Sequence, residues 1–327
     1  MGAQTIFDIS KRPRRNRKSP GIRSLVEETV LTPSDLVVPF FIKEGTKIQD
    51  PIEHLPGVFH YSTDSLIKEA ESLHTQGIAA IALFPVIDPS LRDDEGRESY
   101  NPNSLIVRAI KSIKQEIPTL TIIADVALDP FTSHGHDGIL KDGEIHNDLT
   151  IEALVRQSMT YADAGSDIIA PSDMMDGRVG ILRKALDPSV GILSYTAKYA
   201  SALYGPFRKA MGTTLMFGDK KTYQMNPANR REALREAHLD EEEGADMLLV
   251  KPALPYLDIL SDIKEKSFLP VGAYHVSGEY AMLMGAAEKG YLNVEQALYE
   301  SLISIKRAGA DFIFTYGAPT ILPLLNS

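Results

Sequence analysis

The sequence predicts an α/β fold, a (β/α)8 (TIM) barrel behind an extended N-terminal arm, and three observations carry that expectation. Eight short apolar runs recur after Leu31, at 36–41, 79–84, 120–127, 168–170, 191–195, 247–250, 271–274 and 312–315. They lack strict polar–apolar alternation, as expected of parallel strands covered on both faces. Longer segments of helical period separate them, many closed by glycine: Gly77, Gly165, Gly244, Gly290 and Gly309. Eight strand–helix units suit a closed barrel. An open doubly wound sheet is the alternative, but no G-x-G-x-x-G follows the first run.

Taken in order, residues 1–30 lack apolar period and carry KRPRRNRK, Lys11 to Lys18. Such a run serves as a nucleic-acid patch, an import signal or an arm on a partner's acidic surface. On an acidic chain the arm is favoured. Residues 31–327 then form one catalytic barrel with no internal boundary, with helices at 63–75, 105–116, 149–164, 178–186, 228–244, 256–266, 279–289 and 294–308.

Composition narrows the function. A net charge of -10 disfavours general nucleic-acid binding, which needs a basic face. The absence of cysteine excludes disulfides and thiolate metal sites and agrees with a cytoplasmic location. The longest mostly apolar stretch, 77–87, is too short to cross a bilayer, so no membrane attachment is expected.

Barrel active sites lie at the carboxyl ends of the strands. Here the third run ends in ADVALDPFTSHGHDG, the fourth in APSDMMDGR, the seventh in YHVSGEY and the eighth in TYGAP. The fifth and sixth lead to one lysine each, Lys198 and Lys251. Asp, Ser and Gly populate loops for backbone reasons alone, and either lysine by itself reads equally well as a surface residue. Both together among converging polar groups favour Schiff-base chemistry, since a desolvated amine beside a second cation is readily deprotonated and attacks ketones.

The segments ADVALDPFTSHGHDG, APSDMMDGRVG, SYTAKYASALYGPFR, GADMLLVKP, AYHVSGEYAML and RAGADFIFTY resemble the porphobilinogen synthase (5-aminolevulinate dehydratase) family. The resemblance implies a lyase that condenses two 5-aminolevulinate molecules to porphobilinogen in tetrapyrrole and heme synthesis. It assigns Lys251 to the substrate that becomes the propionate side and Lys198 to the one that becomes the acetate side. It implies that Ser277 and Tyr316 hold the first carboxylate and that Arg208, Lys220 and Gln224 hold the second. Lys220 departs from the arginine common in the family and lacks its bidentate fork. Residues 211–227 read as a loop able to close over the site, or as an ordinary ordered loop.

By resemblance, zinc-dependent members carry three cysteines where this chain has Ala127, Asp129 and Asp137, so family-type zinc is not expected. Asp129 and Asp137 suit Mg2+ or a monovalent cation, or orient a substrate amine with no metal. Asp125 is expected to act on the substrate amine or on protons, and His134 and His136 are taken as hydrogen-bonding supports. Similarity to magnesium-stimulated bacterial members singles out Glu236 as an allosteric Mg2+ site, and the family pattern implies a homo-oligomer, expected to be an octamer with a hexamer as the alternative. The alternatives are a class I aldolase-type barrel, which needs one lysine, and a non-catalytic binding barrel, which needs neither.

Overall fold

The computed structural model describes residues 10–326; residues 1–9, which begin the expected arm, and residue 327 lie outside it. The chain divides into two units at Val30 and Leu31. In the first, a 3-10 turn at Pro13–Arg17 precedes a short helix, Pro20–Leu25, and neither buries a side chain. Ser19 starts that helix, its hydroxyl accepting from the Ile22 N–H at 3.3 Å, with Pro20 in the first turn where no N–H is needed.

The second unit is a closed parallel barrel of β1 (Leu36–Ile42), β2 (Ala80–Pro85), β3 (Thr121–Val126), β4 (Ile168–Pro171), β5 (Gly191–Lys198), β6 (Met247–Lys251), β7 (Val271–His275) and β8 (Phe312–Thr315). The ring closes where Leu36 of β1 pairs with Ile313 of β8. All of β1 is buried, which explains why its sequence does not alternate. The layer between strands consists of α1 (Thr63–Thr75), α2 (Leu105–Glu116), α3 (Asn147–Asp163), α4 (Arg178–Ala185), α5 (Arg231–Glu243), α6 (Leu257–Lys266), α7 (Ser277–Glu288) and α8 (Val294–Arg307), the last two both lying between β7 and β8. The first two bury periodic stripes: Leu66, Ala70 and Leu73 on α1, and Ile106, Ala109, Ile110 and Ile113 on α2. Truncating Ile110 to alanine would cost about 2–5 kcal/mol.

The eight expected strands are all present. The sequence did not reveal the short helices Gly205–Met211 and Ala318–Leu325, or the small hairpins Gln49–Pro51 with Phe59–Tyr61 and Leu140–Lys141 with Glu144–Ile145. Strands of two or three residues are too short to show a period.

One irregularity positions the chemistry. Between β5 and β6 the register pairs Ser194 with Leu248 but Ala197 with Val250, so β5 holds one extra residue. Ser194 points to the helix layer, bonding Asp240 on α5 at 2.7 Å. Tyr195 points inward, towards Lys251. In strict alternation Lys198 would share the outward face of Ser194. The bulge reverses it, so that Lys198 pairs directly with Lys251 on the inner side.

Candidate active site

Lys251 closes β6 and is 7% exposed. Its ammonium nitrogen lies 4.5 Å from the ring centre of Tyr274, 5.1 Å from Tyr195, 5.3 Å from Tyr204 and 5.5 Å from Phe207. Its carbonyl accepts from the Tyr199 N–H at 2.9 Å and the Tyr204 hydroxyl at 3.2 Å, which fixes the base of the side chain. Burial, reinforced by the charge of Lys198, pulls its pKa down to about 7. The ring faces favour the cation, but carry no net charge with which to offset desolvation fully. A nucleophilic amine is therefore well populated at neutral pH.

Lys198, 6% exposed, donates to the Ser172 carbonyl and lies 3.5 Å from Asp137. Asp125, near the end of β3, accepts from the Ser172 hydroxyl at 3.1 Å, and its other oxygen has no hydrogen-bond partner. Burial raises its pKa against the pull of both lysines, which suits a group that takes and returns protons.

The remaining expected residues fall on two sides of Lys251. On one side a cavity of about 330 Å3 is lined by Lys198, Asp129, Arg208, Lys220 and Gln224. On the other, a space of about 10 Å3 is lined by Ser277, Tyr316, Tyr274 and Phe207. Lys251 borders both. The smaller space has room for about one water. Its polar groups are engaged internally: Tyr316 with the Tyr274 hydroxyl at 3.2 Å, and Ser277 donating to the Leu203 carbonyl at 3.3 Å while accepting from the Phe207 N–H at 3.0 Å.

Asp129 and Asp137 are brought together, with a cation between them. The Lys220 ammonium lies 3.2 Å from Asp129 and 2.7 Å from Asp137. Burial works against ionising Asp137, but Lys198 and Lys220 outweigh it and hold its pKa below the usual range. Burial, with the charge of Asp137 adding to it, raises that of Asp129. Among the described residues no three metal-ligating side chains converge. The Lys220 ammonium occupies the space between the two carboxylates.

His134 and His136 fasten the 211–227 loop. The His136 ring contacts the Phe217 carbonyl at 3.2 Å and the Tyr223 hydroxyl at 3.0 Å, and the Met216 N–H donates to the His134 carbonyl at 3.1 Å. Gly135, at φ +75°, passes so close to this loop that a Cβ would sit 2.6 Å from the Thr214 carbonyl. Glu236 on α5 lines a separate cavity of about 750 Å3 with Asp176, Glu232, Glu144 and Asp219. Burial, then Asp240, raises its pKa. Gly218 and Asp219 of the loop line both this cavity and the lysine cavity.

A family model described as delta-aminolevulinic acid dehydratase matches residues 10–324. The chain belongs to the delta-aminolevulinic acid dehydratase family. It is 52% identical over 322 residues to the protein of that name from Chlamydia pneumoniae, covering 97% of each chain. It is equally identical to the one from Bradyrhizobium diazoefficiens, covering 97% of this chain and 91% of that one. A solved delta-aminolevulinic acid dehydratase (porphobilinogen synthase) from Toxoplasma gondii ME49, in complex with the reaction product porphobilinogen, superposes with a TM-score of 0.95 at 49% identity, covering 97% of this chain and 92% of that one.

For a dehydratase of this family, the sequence reading missed the aromatic walls around Lys251 and the Ser172 bridge. Tyr195, Tyr204, Phe207 and Tyr274 come from three separate segments and meet only in the closed barrel. Ser172 carried one available signal, its place directly after β4.

Proposed function

We infer that the chain is a delta-aminolevulinic acid dehydratase, a lyase that joins two molecules of 5-aminolevulinate to porphobilinogen with loss of two waters, in porphyrin and heme synthesis. The observation that carries this is the direct pairing of Lys198 with Lys251 at the inner ends of β5 and β6 in a member of this family. Two identical ketones need two amines.

In this reading the neutral Lys251 amine attacks the ketone of the first substrate and expels water as an imine. That substrate's carboxylate goes to Ser277 and Tyr316, which first release Leu203 and Tyr274. Lys198 takes the ketone of the second substrate, whose carboxylate goes to Arg208, Gln224 and Lys220. Protonated imines acidify the adjacent carbon, and Asp125 is placed to move the proton. Lys220 must leave the aspartates to reach a carboxylate, and the ammonium of the second substrate then takes its place between Asp129 and Asp137. One cation replaces another, so the buried carboxylates stay compensated throughout.

Incubation with 5-aminolevulinate followed by acidic aldehyde reagent should give the colour of a pyrrole, and Lys251→Ala should give none. Borohydride with levulinate should attach one levulinate to Lys251 as a reduced secondary amine, its ketone oxygen having left as water. Absence of pyrrole from the parent protein would return the chain to the aldolase-type reading.

Regulation and assembly form part of the same proposal. Glu236, in a cavity rich in carboxylates, suits a hydrated Mg2+ held largely through its own waters, because Mg2+ retains several of them. The basic arm is proposed to pack on another copy in a homo-octamer. No helix among the described residues is long and apolar enough to cross a membrane, and a cytoplasmic site is proposed on composition. Plant relatives bear chloroplastic names, among them the Glycine max protein, 51% identical over 316 residues.

A further inference from the structure

Glu279 is 1% exposed, and the reaction outlined above makes no use of it. It stands at the third position of α7, where a carboxylate commonly reaches back to the first backbone N–H of its own helix. It does so here, accepting from the Val276 N–H at 2.6 Å. Two further bonds leave the helix. Its Oε1 accepts from the Leu254 N–H at 2.5 Å and its Oε2 from the Ala253 N–H at 3.4 Å. These amides follow Lys251 by two and three residues. One buried carboxylate therefore joins the start of the helix that carries Ser277 to the segment that leaves Lys251.

The other side of the same helix start is equally confined. Ser277 is bonded to Leu203 and Phe207, and a Cβ on Gly278 would lie 2.5 Å from the Leu203 carbonyl. Ser277 is thus held between the Glu279 bonds and the backbone after β5. Burial pushes the Glu279 carboxyl up to about 7, opposed by the same three N–H groups. A carboxylate kept at that cost in desolvation is compensated only by donors that must stay aimed at it.

We propose that Glu279 is a positioning residue that fixes the separation of Lys251 and Ser277, and so selects a first substrate whose carboxylate stands a set distance from its ketone. The proposal rests on the functional reading given above. In 5-aminolevulinate and levulinate two methylenes separate the carboxylate from the ketone. A rigid span rewards that spacing, and a loosened one loses the carboxylate contact while leaving the amine reactive.

The test compares two ketones trapped on Lys251 by borohydride and quantified on its peptide by mass spectrometry: levulinate, and butanone, which has no carboxylate. Glu279→Gln replaces one acceptor oxygen with an NH2 that faces an N–H. Glu279→Asp keeps the charge and the helix-start bond but falls short of Leu254. Each should weaken levulinate trapping about tenfold and raise KM for 5-aminolevulinate, with butanone trapping changed less than twofold. Levulinate trapping equal to the parent's in a folded variant overturns the proposal. An equal fall for both ketones also overturns it, because that is the mark of general damage at Lys251. If Glu279→Gln fails to fold, Glu279→Asp decides. If levulinate never labels Lys251 in the parent, the functional reading fails first, a result distinct from either variant outcome.

Discussion

The reactivity of Lys251 depends in part on the charge of Lys198. With its pKa near 7, Lys251 gains reactive amine as pH rises through neutrality and levels off above it. Burial is the larger cause and Lys198 the next, so Lys198→Met should leave burial in place and remove the repulsion. The midpoint for trapping levulinate on Lys251 should then move upward by roughly 1 unit, the size of a screened like-charge interaction a few Å long. A midpoint that does not move would make burial the sole cause. The lysines were legible in the sequence because each follows an apolar run that had to end at a strand terminus. Their surroundings were not, since Tyr195, Tyr204 and Tyr274 lie up to 79 positions apart and linear spacing does not encode which residues a closed barrel brings together.

β7 carries a second buried titratable group. His275 is 0% exposed, its Nδ1 lies 3.1 Å from the Thr315 hydroxyl on β8, and its Nε2 has no hydrogen-bond partner. Burial lowers its pKa from 6.5 to about 4. Between those values the unfolded chain binds the proton and the folded one does not, so stability rises with pH across that window. The contribution is complete above 6.5 and is lost as pH falls through 4, a change of about 3 kcal/mol at most. Thermal unfolding measured at pH 7.5 and 5 should show a smaller loss for His275→Gln than for the parent; parallel losses would place the acid sensitivity elsewhere. At this scale strands and helices were read correctly because period and burial agree. The β5 bulge was not, because Tyr-Thr-Ala-Lys reads equally well as a regular strand, and only pairing with β6 shows the extra residue.

The largest consequences of the proposed function concern assembly. The loop segment Gly218–Asp219 lies between the Glu236 cavity and the lysine cavity, so an ion in the first can act on the second through one backbone. Differential binding of Mg2+ worth about 1–3 kcal/mol is enough for such coupling. Mg2+ should therefore raise activity and the sedimentation coefficient together. Glu236→Ala should lose both responses while retaining basal turnover, and deletion of residues 6–20 should give smaller assemblies at any Mg2+ concentration. A Glu236→Ala protein that responds like the parent would return this carboxylate to an ordinary helix face. Neither the arm's proposed role nor the ion's was legible beyond charge and resemblance, since a single sequence does not encode which surfaces would meet between copies. The extra residue in β5 also bears on how such a chain tolerates change over generations. A substitution between Tyr195 and Ala197 that let β5 pair regularly at its present length would preserve every residue with a catalytic role, carry Lys198 one place past Lys251, and turn its amine out into the helix layer. Loss of function by that route leaves both lysines in the sequence, and a reading that checks only for their presence would score such a descendant as active.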